Sequence, residues 1–137
     1  MNLDKVKIIE LPRVLDERGN LSFFENEKHV PFTIKRTYWI YDVPGGEARG
    51  GHAYHSLQEF IVALSGSFDV ILNDGHTEKR FALNRSYVGL YVPRMIWRQM
   101  ENFSTNSLAL IVASDLYKQE EYIPDFEQYK TLQQHDH

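Results

Sequence analysis

His52, Tyr54 and Glu59 fall close together in this chain, and side chains of these types can move protons. An imidazole ionises near neutrality, so it can both take and return a proton. A phenol, with an ordinary pKa near 10, is a weak base at neutral pH but a competent donor once hydrogen-bonded. A carboxylate accepts. This is a general acid–base set. Nucleophilic thiols and thiolate metal sites are excluded, because the chain has no cysteine. Eight arginines offer planar cations of the kind suited to bidentate contact with phosphate or to an oxygen gaining negative charge.

Strands must position these groups. Residues two apart on a strand face the same side, so His52 and Tyr54 can enter one cavity while Ala53 and His55 face away. Glu59 returns on the next strand to oppose them. Apolar positions alternate in Thr37–Tyr41, Phe60–Leu64, Phe68–Leu72 and Leu108–Val112, rich in β-branched and aromatic residues. Turn chemistry separates such runs at Glu17-Arg18-Gly19-Asn20, Pro44-Gly45-Gly46, Ser65-Gly66-Ser67 and Asn73-Asp74-Gly75. The last predicts a hairpin with a tight primed turn. Short strands at this spacing predict an all-β sandwich or barrel.

The C-terminal stretch reads differently. Tyr122, Phe126 and Tyr129 have helical spacing interrupted by Pro124, which predicts one or two short helices with an aromatic stripe capping the barrel. Residues 130–137, ending Gln133-Gln134-His135-Asp136-His137, read as a frayed tail. His29 and His76 sit in polar, turn-like contexts and read as surface residues.

A length of 137 residues suits one domain spanning 1–137, large enough for a core without disulfides. Hydrophobic residues at 42% and charged residues at 25% exclude a disordered chain. A formal charge of −4 argues against a nucleic-acid binder. No apolar run is long enough for a membrane span, and Met1-Asn2-Leu3-Asp4-Lys5 opens no signal-peptide pattern, so a cytoplasmic protein is expected.

The segment from Gly46 to Gly66 has a definite spacing: Gly46, five residues, His52-Ala53-Tyr54, four residues, Glu59, six residues, Gly66. It resembles the first motif of the cupin superfamily, with Tyr54 where the second histidine belongs. Gly89-Leu-Tyr-Val-Pro93 through Trp97-Arg98 resembles the second motif, with Arg98 at a position where metal-binding cupins place histidine. A guanidinium has no lone pair for a cation and repels one. His52 and Glu59 alone make a poor cage for a transition metal, so a metal-free cupin is expected.

The flanking segments narrow the resemblance. Asp16-Glu-Arg18-Gly-Asn-Leu21, Pro31-Phe-Thr-Ile-Lys35-Arg36-Thr-Tyr38, Arg49-Gly-Gly-His52-Ala, Val88-Gly-Leu-Tyr-Val-Pro93, Trp97 and Val112-Ala-Ser-Asp115-Leu-Tyr117 occur in this order. Together they resemble the dTDP-4-oxo-6-deoxyglucose 3,4-ketoisomerases, the WxcM-like sugar-nucleotide isomerases, from about Lys7 to Tyr129. The resemblance implies an all-β, cupin-type jelly-roll barrel of antiparallel strands with a short C-terminal helical segment, assembled as a homodimer. It implies a dTDP-linked 4-oxo-6-deoxyhexose as substrate, with no metal or organic cofactor. The implied reaction moves the ketone from C4 to C3 through an enediol.

In such enzymes the His-x-His pair is the catalytic centre, and only its first member carries over, as His52. Three arrangements stand open. His52 and Tyr54 divide the base and acid roles with Glu59 assisting as a carboxylate base; or a bulge turns His55 inward; or the chain keeps the pocket as a non-catalytic dTDP-sugar-binding module. By resemblance Arg49 reaches the diphosphate, a surface arginine in a glycine-rich turn being the plain alternative. Arg36, with Lys35, aids phosphate binding or forms a solvated face. Tyr38 contacts the nucleotide or packs in the core. Arg18 and Arg98 occupy positions that differ among relatives with the gluco or galacto configuration of the product. This chain has arginine at both, which leaves that configuration open. Trp97 alternates to the opposite face and reads as packing, and Asp115 with Tyr117 as a structural bracket.

Overall fold

Period-two alternation of β-branched and aromatic residues produces strands throughout the computed structural model, which describes residues 2–135. In chain order they are β1 (Lys7–Glu10), β2 (Arg13–Val14), β3 (Leu21–Ser22), β4 (Arg36–Tyr41), β5 (Arg49–Tyr54) and β6 (Glu59–Ser65). There follow β7 (Phe68–Asn73), β8 (Glu78–Leu83), β9 (Val88–Val92), β10 (Trp97–Glu101), β11 (Leu108–Ala113), β12 (Tyr122–Ile123) and the helix α1 (Phe126–His135).

Two five-stranded sheets form, ordered β1-β9-β6-β11-β4 and β12-β5-β10-β7-β8, with β2 and β3 as a small separate hairpin. From β4 to β11 the chain changes sheet at every connection except β7 to β8, which is the jelly-roll path. The inner faces interdigitate. Ile61, Leu90 and Ile111 from one sheet meet Val70, Leu72 and Met100 from the other in one buried cluster. Burying each such side chain contributes about 1.5–3 kcal/mol. Gly89 is required by close approach: a Cβ there would stand 1.8 Å from Cζ of Phe60.

Three local expectations are corrected. The β7–β8 connection is a longer loop than a primed two-residue turn. Only Gly75 has positive φ, and Asp74 instead turns its carboxylate back to accept from the N–H groups of His76 and Thr77, at 2.9 and 2.8 Å. Tyr122 lies on β12, paired with Tyr54, and so leaves the helical stripe that Phe126 and Tyr129 retain. The tail is not frayed through residue 135: α1 runs to His135, with Tyr129 and Gln133 buried, while residues 136 and 137 lie outside the described residues.

Asp125 caps α1, its carboxylate accepting from the Gln128 N–H at 3.0 Å. The helix is pinned by ring packing of Phe126 and Tyr129 on Trp97, with centroids 5.2 and 5.9 Å apart. Trp97 therefore packs on the outer side of β10, as its alternation with Arg98 requires. Among the described residues no helix is long and apolar enough to cross a membrane.

Candidate active site

A cavity of about 400 Å³ opens between the edge strand β4 and strand β5. Its lining includes Tyr38, Arg49, His52, Tyr54, Arg98 and Tyr122. Strand parity explains most of this set: His52 and Tyr54 are two apart on β5, and Arg98 sits opposite His52 on β10. Arg49 is three residues before His52 and on a regular strand would face away. The pairing shifts between Arg98↔His52 and Met100↔Arg49, which inserts one extra residue in β5, and Gly50 there has φ +81°. That bulge restores Arg49 to the cavity side.

Four of these lining side chains join Glu59 in one ionic and phenolic cluster. Glu59 opens β6 with 1% of its side chain exposed, and its Oε1 lies 2.9 Å from Nε of Arg98, itself 3% exposed. Nη2 of Arg98 donates to the Tyr38 oxygen at 2.9 Å, and the Tyr38 hydroxyl donates to Oε2 of Glu59 at 2.5 Å. The Tyr54 oxygen lies 3.3 Å from the same carboxylate oxygen and 2.9 Å from Nε2 of His52. Five side chains from four strands thus form one connected network.

The electrostatics follow from this burial. Desolvation, aided by the positive charge of Arg98, pushes His52 down to about 3, so the ring is neutral at physiological pH. Burial raises Tyr38 well above the ordinary phenol value, and burial with the Glu59 charge does the same to Tyr54. Both stay protonated. Burial disfavours the charge on Arg98, but Glu59 outweighs it and the guanidinium is held firmly charged. The cavity thus combines a neutral base, two neutral phenols and a fixed cation.

Several expected residues stand elsewhere. Glu59 does not line the cavity: it lies buried against Arg98 and the phenols of Tyr38 and Tyr54. Arg18 is not brought to the cavity: it lies in the exposed turn between β2 and β3, folded onto Asp16 at 2.9 Å. Arg36 does not line the cavity either. Its guanidinium stacks by Tyr38 and Tyr117, 5.2 and 5.7 Å from the ring centroids, with Nε and Nη2 buried and without hydrogen-bond partners. His55 is exposed, its N–H donating to the Glu121 carbonyl at 3.0 Å, so the bulge in β5 does not turn it inward. His29 is half-buried rather than plainly superficial, and its Nδ1 accepts from the Glu25 N–H at 2.9 Å.

Tyr122 is a site residue whose place the sequence reading missed. Its ring centroid lies 5.0 Å from that of His52 and 4.9 Å from that of Tyr54. Only the pairing of β12 with β5, a contact distant in sequence, brings it there. Among the described residues no three or more side chains of metal-binding type cluster. A larger groove of about 620 Å³ lies against Trp39, Tyr41, Leu64 and Leu110 and has no histidine in its lining.

The family model described as FdtA, WxcM-like, C-terminal, matches residues 4–134. The TDP-4-oxo-6-deoxy-alpha-D-glucose-3,4-oxoisomerase of Aneurinibacillus thermoaerophilus is 40% identical over 124 residues, covering 90% of this chain and 89% of that one. The structure of the WlaRB TDP-quinovose 3,4-ketoisomerase from Campylobacter jejuni superposes with a TM-score of 0.89 at 41% identity, covering 93% of this chain and 98% of the other. A variant of the 3,4-ketoisomerase QdtA from Thermoanaerobacterium thermosaccharolyticum, in complex with TDP-4-keto-6-deoxyglucose, gives a TM-score of 0.93 at 31% identity, covering 95% and 94%. With nearly its whole length matched, the chain belongs to the FdtA family of WxcM-like proteins.

Proposed function

We propose that the protein is a sugar-nucleotide 3,4-ketoisomerase, moving the keto group of a dTDP-linked 4-oxo-6-deoxyhexose from C4 to C3 in deoxysugar biosynthesis. One observation carries the reading: His52, a neutral imidazole, faces a cavity that it shares with the fixed cation Arg98. The likeness to isomerases of this substrate class, at 40% identity over most of the chain, supports the choice of sugar.

The chemistry needs what those groups supply. A hydrogen on C3 is acidified by the adjacent C4 ketone. His52 takes it as a proton, the C3–H electrons form the C3=C4 double bond, and O4 takes up the carbonyl electrons. The fixed positive charge of Arg98 offsets the charge on the enediolate oxygens. His52 then returns a proton to C4, O4 ends as a hydroxyl and O3 gives up its proton to become the new ketone. All electrons stay within the sugar, so the reaction itself calls for no redox partner. Arg49, at the cavity edge, is placed to hold the diphosphate by its planar fork. Arg36, stacked behind Tyr38, contributes positive charge to that side of the cavity.

The working protein in this reading is a homodimer in the cytoplasm, where a charged nucleotide-sugar that crosses no membrane unaided is met. The exposed apolar groove at Trp39, Tyr41 and Leu64, which are 57%, 62% and 42% exposed, is the face a second copy covers. Light scattering checks this, and a monomer mass at micromolar concentration removes the dimer. The activity is tested by incubating the protein with dTDP-4-oxo-6-deoxyglucose in deuterated water. The expected product is the 3-oxo isomer with deuterium at C4, and His52→Asn lowers the rate by about a thousandfold. Tight binding without turnover by the unaltered protein would instead establish a binding module.

A further inference from the structure

We propose that Tyr54 is a positioning residue: bridging Glu59 and His52, it holds the imidazole in the tautomer protonated on Nε2, leaving Nδ1 as the nitrogen that takes the substrate's carbon-bound proton. This rests on the isomerase reading above and specifies which atom of the same site works.

The network leaves little freedom in where protons sit. The Tyr38 oxygen accepts from Arg98, so its own proton goes to Oε2 of Glu59. Hydrogen bonds join the Tyr54 oxygen to Oε2 of Glu59 at 3.3 Å and to Nε2 of His52 at 2.9 Å, and the Tyr122 hydroxyl is a further neighbour. Were the phenol to donate to His52, the Nε2 lone pair would be occupied. Nδ1 would carry the ring proton with no acceptor among the described residues, and neither nitrogen would be free as a base. With the phenol donating to Glu59, the chain of donors and acceptors from His52 closes: Nε2–H donates to the phenol oxygen, the phenol O–H donates to the carboxylate, and the Nδ1 lone pair remains open. A bond to the carboxylate is also charge-assisted, which one to neutral imidazole is not. The hydrogen bond on one ring nitrogen fixes the state of the other.

Ring packing keeps the imidazole from escaping this arrangement. Tyr54 meets His52 edge-on with centroids 4.8 Å apart, and Tyr122 packs against both rings. Tyr54 is thus suited to the position by having one lone pair to receive and one proton to pass on. A neutral histidine there has the same pair of capacities, whereas phenylalanine has neither.

The test is nitrogen NMR of the full chain labelled with ¹⁵N-histidine, without substrate, the His52 signals being assigned by their loss in His52→Asn. The proton is expected on Nε2, and finding it on Nδ1 overturns the proposal. Tyr54→Phe is expected to give a mixture of tautomers and to lower kcat by about tenfold to a hundredfold with KM within about twofold. Tyr54→His is expected to restore most of the rate and the single tautomer. Unchanged kcat and tautomer in Tyr54→Phe also overturn it. Should Tyr54→Phe fail to fold, the spectrum of the unaltered protein decides alone. Absence of turnover in the unaltered protein removes the isomerase reading, while the spectrum still reports the tautomer.

Discussion

Two residues along each strand separate the polar part of the interior from the apolar part. On β10 the step is from Arg98 to Met100, on β6 from Glu59 to Ile61, and on β4 from Tyr38 to Ile40. Both parts are built by the same strands on the same inward-facing parity. The difference lies in what fills the layer. Met100 and Ile61 fill space against neighbours from both sheets, while Arg98, Glu59 and Tyr38 depend on one another's charges and protons. A jelly roll can therefore host a reactive layer without altering its backbone, provided every buried polar group in that layer is answered by another.

The largest effect comes from erasing the contrast. Replacing Glu59→Leu together with Arg98→Met extends the apolar layer into the site. Turnover is expected to fall about a thousandfold or more, with stability held within about 2 kcal/mol of the unaltered protein. A double variant that still turns over would show the cation to be dispensable. Breaking the pair from one side is expected to be worse for stability. Glu59→Gln leaves the Arg98 charge buried without its anion, and should cost about 3–5 kcal/mol in urea unfolding. A cost near zero would mean that solvent reaches the pair.

The smallest effect is a pH dependence. His52 titrates at about 3 when folded against 6.5 unfolded, so between these values the unfolded chain binds more protons. The stability contributed by the neutral buried ring is therefore complete above 6.5 and is lost as pH falls toward 3. The slope from this one ring is at most about 1.4 kcal/mol per pH unit. His52→Asn should remove that part of the slope from urea midpoints measured across the window, and equal slopes in both proteins would refute it.

How legible this was in the amino-acid order depends on the range of the interaction. The strands around Phe60–Leu64 and Phe68–Leu72 and the shared face of His52 and Tyr54 are properties of alternation, which is local. So is the recognition of Gly46 to Gly66 as a spaced motif. Tyr122 escaped because its neighbours are set by pairing with β5, across more than sixty residues of intervening chain. Gln133 escaped because a polar residue in a polar tail carries no sign of burial, and the Gly75 loop that packs against it is distant in sequence. Glu59 was recognised as part of the constellation but not as the partner of Arg98, since side chains 39 positions apart meet only once the sheets do. Arg18 shows the reverse limit: a position singled out by resemblance is placed by its own turn, where Asp16 claims it.

In the proposed reaction, the supernumerary residue at Gly50 gives the site's two tasks separate controls. Removing that one position would swing the guanidinium of Arg49 to the outer surface while the imidazole of His52 kept its seat opposite Arg98. Grip on the ligand's tail and chemistry at its ring would then come apart, so that a change of chain length, with no change of side chain, would yield a catalyst that has lost its hold on what it converts.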